Sequence, residues 1–493
     1  MQVNQKSALV TSRLEPSEQG WLTKRSHEIA MTALVPASSV FVGATFIFGP
    51  VAAAVALIGV GLGLAILYRP AIGGLLLAGA VPATAGLQRG VPIPGLRLSE
   101  SLIVGVAALV LVPTSRLSAF RWCALDFLAV AYAGAGILLG SWSLARRGAP
   151  FDATNVGTML GPVQFFLLYR TVMVSLSPAY RRRQALRLLL LASLPMSAVG
   201  ILQQLNIGGT RQMVIQLTGG DVFYSWSYLH TPRATSLFPG WHPFAGYLFI
   251  ILLLTVVLLL DRSSNVMGVK GLVVVLAAGS AALVLTTTLT TLAAFVAGTV
   301  VLALWYGHLE RALAWSLVAV LAIAFLFGPV LTKRLEGQQL TAPGEERSEL
   351  IPQTIGFRLE IWKEQYIPVI SRHLVMGYGP DLPPEITWLY TESLYLTLLL
   401  RGGIPLLALY AALMWALCLR ARRLADSQEA PCRAVARLLI VLVALLVPMH
   451  AVFPYFTSSG LPQPMWVLIG IMLAAAQHRV QRDPTDAAVA RSS

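Results

Sequence analysis

The chain has 493 residues, of which 56% are hydrophobic and only 12% are charged. A soluble globular domain carries about 25% charged residues, so this composition excludes an ordinary soluble enzyme or binding domain. The formal net charge is +14, but the basic residues lie in short stretches between apolar runs, for example at residues 181–183 and 420–423. That pattern is typical of positive-inside membrane topology and does not indicate nucleic-acid binding.

Apolar runs of membrane-spanning length recur along the sequence. A helix needs roughly 20 apolar residues to cross a bilayer. Lipid offers backbone polar groups no partners, so such runs must be helical. We predict an all-α fold, a polytopic transmembrane helical bundle of about 12–14 spans with two large extracytoplasmic loops. The candidate spans lie near residues 29–49, 50–68, 71–87, 100–114, 124–142, 154–176, 186–205, 242–260, 271–288, 290–306, 312–331, 392–420, 437–453 and 463–478.

Two of these runs contain internal breaks. The apolar stretch 271–306 is long enough for two spans, and the three threonines at 286–288 are a plausible boundary. The stretch 392–420 is too long for one simple span. Gly402, Gly403 and the nearby proline predict its division into a short first helix and a true span.

The distribution of basic residues predicts which loops face the cytoplasm. If orientation alternates from a cytoplasmic N-terminus, most arginine clusters fall inside, and only the loop with Arg146 and Arg147 falls outside. The predicted domains are then a cytoplasmic tail at 1–28, a transmembrane domain at 29–478 and a cytoplasmic tail at 479–493. Two long loops, at about 206–241 and 332–391, lie outside.

The first outer loop ends with Arg233 a few residues before a span. An arginine there either anchors the helix end by snorkelling or binds an anion, because its guanidinium fork matches phosphate oxygens and stays charged. Arg211 in the same loop is a weaker candidate. His242 is expected mainly as a helix-start residue, with a direct role as the alternative.

The second outer loop contains an amphipathic segment at 355–372, which predicts a helix at the membrane interface. Arg358 lies on it and either pairs with Glu360 or Glu364 as ordinary surface charge or has a functional role. Glu392 follows at the outer mouth of an apolar helix. A carboxylate there is costly unless it caps the helix, pairs or faces water, and the functional alternative is a base for an acceptor hydroxyl.

Five short segments, in this order, resemble the O-antigen ligase and polysaccharide polymerase family of bacterial membrane proteins. They are the arginine-containing stretch 233–238, the arginine–tryptophan helix 356–362, the glycine turn 377–379, the stretch 391–396 that closes the large loop, and the glycine pair and isoleucine at 402–404. The resemblance covers roughly residues 230–410.

The resemblance implies an activity and a location. Such proteins act on glycans carried by polyprenyl pyrophosphate at the outer face of the bacterial inner membrane. They transfer the glycan to a sugar hydroxyl and release the lipid pyrophosphate, and they are thought to need neither metal nor cofactor. The implied partners are the lipid-linked glycan, membrane lipids and other polysaccharide-assembly proteins, with no nucleic acid. The cysteines of this chain show no metal or disulfide spacing.

The resemblance also implies roles for individual residues. Arg233 and Arg358, with Arg211 as a further candidate, would bind the pyrophosphate and stabilise the charge that builds on it. Glu392 would orient or deprotonate the attacking hydroxyl. The remaining candidates for binding the glycan or the pyrophosphate are His242, Trp362 and Tyr395.

Two departures from the family pattern bear on the reaction. Ligases of the family carry His-Asn, or a close variant, where this chain has Glu392 and Ser393, which favours a polymerase of O-antigen, capsule or exopolysaccharide repeat units. Relatives often carry a serine–arginine pair where this chain has residues 286–291, so no role is transferred there. The alternatives are a ligase that moves the glycan to lipid or protein, a transporter or flippase, and an inactive scaffold.

Overall fold

The computed structural model describes residues 50–89, 96–112, 122–219, 223, 232–308, 353–388 and 390–482, with residues 310, 328 and 332. The predicted tail at 1–28, the span near 29–49 and nearly all of the span near 312–331 lie outside the described residues. By its internal contacts the chain divides into two units, Met1–Ile72 and Gly73–Ser493, and the features below belong to the second.

The described residues form helices and no β-strand, which confirms the predicted all-α class. The helices of the first half are α1 (Pro50–Tyr68), α2 (Pro70–Thr84), α3 (Leu98–Leu111), α4 (Ala124–Arg147), α5 (Ala153–Ser175), α6 (Ala179–Leu205) and α7 (Thr210–Thr218). Those of the second half are α8 (Trp241–Leu260), α9 (Val269–Leu285), α10 (Leu289–Trp305), α11 (Gln353–Ile361), α12 (Ile367–Arg372), α13 (Leu394–Leu424), α14 (Ala430–Val452) and α15 (Pro462–Arg482).

Among the described residues, five helices are long and apolar enough to cross a membrane, and the protein is therefore a polytopic membrane protein. They are α4, α6, α8, α13 and α14. Helix α8 has the highest mean hydropathy of the five, 2.6, and 89% of its most apolar window is buried. It packs against α6, α9, α10, α14 and α15, and so forms the centre of the bundle.

Both predicted breaks occur. Helix α9 ends at Leu285 and α10 begins at Leu289, so the threonines between them form the corner. Within α13, Gly402 and Gly403 leave helical backbone geometry, and the helix kinks there. Glycine tolerates such geometry, and Pro405 lacks the N–H that an unbroken helix would use.

The predicted interfacial helix is also present, but it is divided. Helices α11 and α12 are joined by a π-helical turn over Trp362–Tyr366. A hydrophobic cluster under this segment includes Ile361, Tyr366 and Ile370, and Leu400 of α13 joins it. The segment is therefore fixed to the end of α13 by apolar packing.

The structure adds detail to two of the predicted segments. Residues 206–241 were predicted as one outer loop, yet α7 lies within it and carries Arg211. Helix α15 continues to Arg482, so residues 479–482, predicted as the start of the C-terminal tail, are helical.

Candidate functional site

The glycine turn and the glycine kink, singled out separately in the sequence, contact each other through backbone atoms. The backbone N–H of Tyr378 donates to the carbonyl of Leu400 at 2.6 Å, and that of Ile404 donates to Leu374 O at 2.8 Å. Gly403 has φ +64°, and a Cβ there would lie 2.4 Å from Leu374 O. Only glycine fits this approach, so the turn is held against the kink of α13.

Arg147 at the end of α4 holds the same turn from the other side. Its Nη1 and Nη2 bind the carboxylate of Asp381 at 3.2 and 2.5 Å, and its guanidinium carbon lies 3.8 Å from the centre of the Tyr378 ring. The Ser143 hydroxyl donates to Tyr378 O. The arginine that broke the positive-inside pattern is therefore neutralised by a carboxylate and positions the turn.

Arg358 of α11 and Glu392, just before α13, form a direct ion pair. Nη2 of Arg358 lies 3.0 Å from Oε2 of Glu392, and the two side chains are 17% and 19% exposed. The pair replaces the expected surface pairing of Arg358 with Glu360 or Glu364. Two of the three predicted catalytic residues thus come together across 34 residues of chain.

The backbone around Glu392 is held in place by side chains of the interfacial segment. The indole Nε1–H of Trp362 donates to Thr391 O at 2.7 Å, and the Tyr366 hydroxyl donates to Trp388 O at 2.5 Å. Glu392 itself has φ +53°, in the left-handed region. A non-glycine residue in that region costs energy and persists only where its surroundings enforce it, which is common at functional sites.

Burial raises the pKa of Glu392 above its ordinary value, and the charge of Arg358 and its hydrogen bond to the carboxylate oppose that rise. Desolvation disfavours the charged carboxylate, whereas an adjacent cation favours it. The basicity of Glu392 therefore depends on where the Arg358 guanidinium lies.

Arg233 lies on a rigid segment before α8. Its side chain is 5% exposed, and its guanidinium carbon lies 4.2 Å from the ring centre of Trp241. The side-chain amide of Gln203 accepts hydrogen bonds from the backbone N–H groups of Thr235 and Ser236 at 2.9 Å each. Arg233 is therefore a buried, fixed cation rather than an arginine that snorkels freely to the interface.

His242 is a helix-start residue, as expected, since α8 begins one residue before it. Its ring stacks on Phe453 at 4.3 Å and lies 6.4 Å from the ring of Tyr455. The Trp241 ring lies 5.8 Å from His242. The buried Nε1–H of Trp241 has no acceptor among the described residues. A ligand beside Arg233 would supply one.

The loop 453–461 between α14 and α15 was not singled out in the sequence. Its residue Tyr455 links the group around Arg233 and His242 to the ion pair of Arg358 and Glu392. Tyr455 lies within electrostatic range of both Arg358 and Glu392, and its hydroxyl is 2.8 Å from the Thr291 hydroxyl. Burial raises the pKa of Tyr455 to about 12, so it is a neutral hydrogen-bonding group at physiological pH. A tyrosine in a Pro- and Ser-rich loop carries no sequence signal of this placement.

The other candidates lie less centrally. The Tyr395 hydroxyl donates to Val447 O at 2.6 Å, which ties α13 to α14. Arg211 is half-buried on α7, and no hydrogen bond or ion pair joins it to another described residue. Their assignment to substrate binding stays a prediction.

No three potential metal ligands among His, Cys, Asp and Glu come together within the described ranges. What the site assembles is a set of cations and one carboxylate beside aromatic rings: Arg233, Arg358, Glu392, Trp241, Trp362 and Tyr455. Such a set can bind a phosphorylated sugar and accept a proton from a hydroxyl.

Residues 272–411 match the family model described as O-antigen ligase, and this stretch includes Arg358, Trp362 and Glu392 but not Arg233. No curated protein matches the chain. The match confirms, over residues 272–411, the resemblance to the O-antigen ligase family seen in the sequence, and that family consists of membrane enzymes that act on lipid-linked glycans.

Proposed function

We propose that the protein polymerises polyprenyl-pyrophosphate-linked oligosaccharide repeat units, of O-antigen, capsule or exopolysaccharide, on the outer face of the bacterial inner membrane. The observation that carries the proposal is the half-buried ion pair between Arg358 and Glu392 at 3.0 Å. It supports the proposal because a cation able to bind phosphate lies beside a carboxylate able to accept a proton, and glycosyl transfer from a pyrophosphate requires both groups.

In the proposed reaction, Glu392 takes the proton from a sugar hydroxyl of the acceptor. That oxygen attacks the anomeric carbon of the donor glycan and forms the new glycosidic bond. The bond from the anomeric carbon to the pyrophosphate oxygen breaks, and its electron pair leaves with the pyrophosphate. Arg358 and Arg233 stabilise the developing negative charge, since fixed cations at the leaving group lower the barrier without reorganisation.

Arg358 also couples donor binding to activation of the base. In the free protein its guanidinium faces Glu392. A bound pyrophosphate carries more negative charge than a carboxylate and draws the guanidinium toward itself. Glu392 then loses the partner that opposes the effect of its burial on its pKa, and its basicity increases when the donor is in place.

Arg233, Trp241 and His242 form the second half of the donor site. The buried Arg233 guanidinium and the unpaired Trp241 Nε1–H present donors to the same region. Bidentate contacts from a guanidinium to phosphate oxygens are among the strongest charge-assisted hydrogen bonds. The aromatic rings would also support the sugar next to the pyrophosphate.

Glu392 favours the polymerase over the ligase. Ligases of the family carry His-Asn where this chain has Glu392 and Ser393. In this chain Ser393 is the N-cap residue of α13, and its hydroxyl donates to His450 O at 3.4 Å. This supports a site in which the carboxylate alone handles the proton.

The test is an assay of the purified full-length protein with a polyprenyl-pyrophosphate oligosaccharide repeat unit from the native host. The wild type is compared with Arg233→Gln, Arg358→Gln and Glu392→Gln, and with Arg372→Gln as a control for an exposed arginine. We expect a ladder of longer lipid-linked glycans from the wild type and the control. Loss of a general base lowers the rate by roughly 10²–10⁴-fold.

Other outcomes would change the assignment. Transfer of one preformed glycan to a lipid or protein acceptor would make the protein a ligase. A full ladder from Glu392→Gln would remove Glu392 from the chemistry. No consumption of any lipid-linked donor, with native acceptors supplied, would leave the transporter and scaffold alternatives.

A further inference from the structure

A second group of arginines surrounds a separate cavity of about 200 Å³. The cavity lies between the start of α3, the middle of α4, the first half of α5, the first part of α13 and the loop 453–461. Phe456 and Ser459 of that loop line it, while Tyr455 of the same loop lies within electrostatic range of the ion pair of the first site. One loop therefore borders both places.

The charge of this cavity is strongly positive. Its lining includes three arginines, Arg89, Arg97 and Arg401, and a single carboxylate, Glu100, so the formal excess is 3 − 1 = +2. Arg89 pairs with Glu100 at 2.8 Å, and Nη1 of Arg97 donates to the Ser459 hydroxyl at 2.5 Å. Glu100 already pairs with Arg89, so Arg97 and Arg401 have no carboxylate partner in the lining of the cavity.

Arg401 carries the strongest requirement for an anion. It is half-buried at the kink of α13, and no described residue forms an ion pair or hydrogen bond with its guanidinium. A guanidinium stays charged in any protein environment, and a desolvated charge without a partner is costly. A negatively charged ligand would supply the missing partner.

The backbone around the cavity is shaped to hold Arg89. A Cβ on Gly157 of α5 would lie 2.5 Å from Nη1 of Arg89 and 3.0 Å from its Cζ. The absence of a side chain at Gly157 thus creates the space in which the guanidinium lies. The cavity is built by several elements together and is not a single helix end.

The geometry of α13 links this cavity to the proposed catalytic carboxylate. Arg401 lies seven residues after Leu394, the first residue of α13, which follows Glu392 closely. At 1.5 Å per residue, Arg401 lies roughly 10 Å along the helix from Leu394. The cavity is therefore near the first site but distinct from it.

We propose that this cavity binds the pyrophosphate of a second lipid-linked glycan, the acceptor, while Arg233 and Arg358 bind that of the donor. The proposal rests on the proposed polymerase function, because a polymerase joins two substrates that both carry a pyrophosphate. The accepting hydroxyl lies away from its own pyrophosphate, so the second anion site must be separate from Glu392. Two unpaired guanidinium groups match the charge of a pyrophosphate diester.

The experiment measures how many equivalents of polyprenyl pyrophosphate bind to the full-length protein in nanodiscs. We expect two for the wild type. Arg401→Gln and Arg97→Gln should each weaken one site by roughly 10- to 100-fold and leave the other unchanged. Arg358→Gln should weaken the other site alone, and Arg372→Gln should leave both. Arg401→Lys, which keeps the charge, should retain part of the binding, and the melting temperature of each variant reports whether it is folded.

Three results would overturn the proposal. One is a single equivalent in the wild type that Arg358→Gln removes. Another is two full-affinity equivalents in both Arg401→Gln and Arg97→Gln. The third is inorganic pyrophosphate binding to the cavity as tightly as the lipid, which would assign the site to a soluble phosphate. The binding measurement does not depend on turnover. The absence of a polymer ladder would therefore reject the proposed function, whereas the number of bound equivalents alone decides whether this second site exists.

Discussion

Glu392 combines three properties that no simple helix cap requires: a left-handed backbone, a half-buried carboxylate and a direct pairing with an arginine on another element. An N-cap role, the simpler alternative in the sequence, belongs instead to Ser393. The positive φ of Glu392 turns the chain so that its side chain reaches Arg358. The backbone cost is of order 1–3 kcal/mol, and it is offset by the packing and hydrogen bonds around it.

The backbone cost of Glu392 can be measured with two variants that both lose the carboxylate. Glycine adopts φ +53° freely, whereas alanine does not, so Glu392→Gly should be more stable than Glu392→Ala by about 1–2 kcal/mol. Thermal or denaturant unfolding in detergent gives the comparison, and both variants should lack polymerase activity. Equal stability of the two would show that the left-handed backbone at this position carries no cost.

The pH dependence of activity should report the ion pair. Because Glu392 must be deprotonated to act as a base, activity falls as the pH drops through its pKa. Arg358 opposes the rise in the pKa of Glu392 that burial causes, so Arg358→Gln should move the acidic limb of kcat/KM to higher pH. The residual activity of Glu392→Gln should lack that limb. An acidic limb that stays in place in Arg358→Gln would contradict the coupling of these two residues.

At the scale of elements, the glycine turn and the kink of α13 act as one joint. Gly377 and Gly403 each have a positive φ. A Cβ added to Gly377 would lie 2.4 Å from the backbone N of Gly402, and one added to Gly403 would lie 2.4 Å from Leu374 O. Arg147 and its bonds to Asp381 hold the joint from α4. The joint determines the position of Glu392 before the helix and of Arg401 at the kink.

A single methyl group should disrupt this joint. In Gly403→Ala the new Cβ would lie 2.4 Å from Leu374 O, and the backbone there (φ 64°, ψ −160°) is open essentially only to glycine. We expect a loss of about 1–3 kcal/mol in stability and at least a tenfold loss of activity. The matched control is Gly134→Ala in α4, where a Cβ would meet nothing within 4 Å. An active, equally stable Gly403→Ala would show that the joint does not position the site.

The sequence predicted these elements better than it predicted their contacts. The breaks at 286–288 and at Gly402 followed from local chemistry, since glycine, proline and threonine interrupt apolar helices locally. The pairing of Arg358 with Glu392 and the placement of Tyr455 depend on tertiary packing, which residue spacing alone does not encode. Arg401 carries no sequence signal of a ligand site, because an arginine beside two glycines in an apolar stretch indicates a helix break.

At the scale of the whole molecule, the described ion pairs fall into two groups according to the predicted topology. The outer group joins Arg89 to Glu100, Arg147 to Asp381 and Arg358 to Glu392, and the inner group joins Arg170 to Asp126, Arg182 to Glu429, Arg433 to Asp261 and Arg437 to Asp426. The two groups lie at opposite ends of the spanning helices. The apolar middle of the bundle then carries the packing, and the proposed chemistry lies at the predicted outer end.

The orientation of the molecule decides whether that end faces the side where we place the reaction. Helix α13 separates Glu385, which is exposed near the first site, from Asp426, whose side chain is 89% exposed at the other end. In a background without Cys123, Cys418 and Cys432, a membrane-impermeant maleimide should label Glu385→Cys on intact cells. Asp426→Cys should react only after permeabilisation.

Each deviation from this labelling pattern has a separate meaning. Labelling of Asp426→Cys alone would invert the topology, and it would place Arg233, Arg358 and Glu392 at the cytoplasmic face, against the proposed outer-face polymerisation. Labelling of both positions from outside would mean that α13 does not cross the bilayer, because the two positions flank this helix. The expected pattern needs an odd number of crossings between them, which one kinked helix of 31 residues provides. At 1.5 Å per residue such a helix is about 45 Å long, which is enough to cross the hydrocarbon core with a tilted first segment.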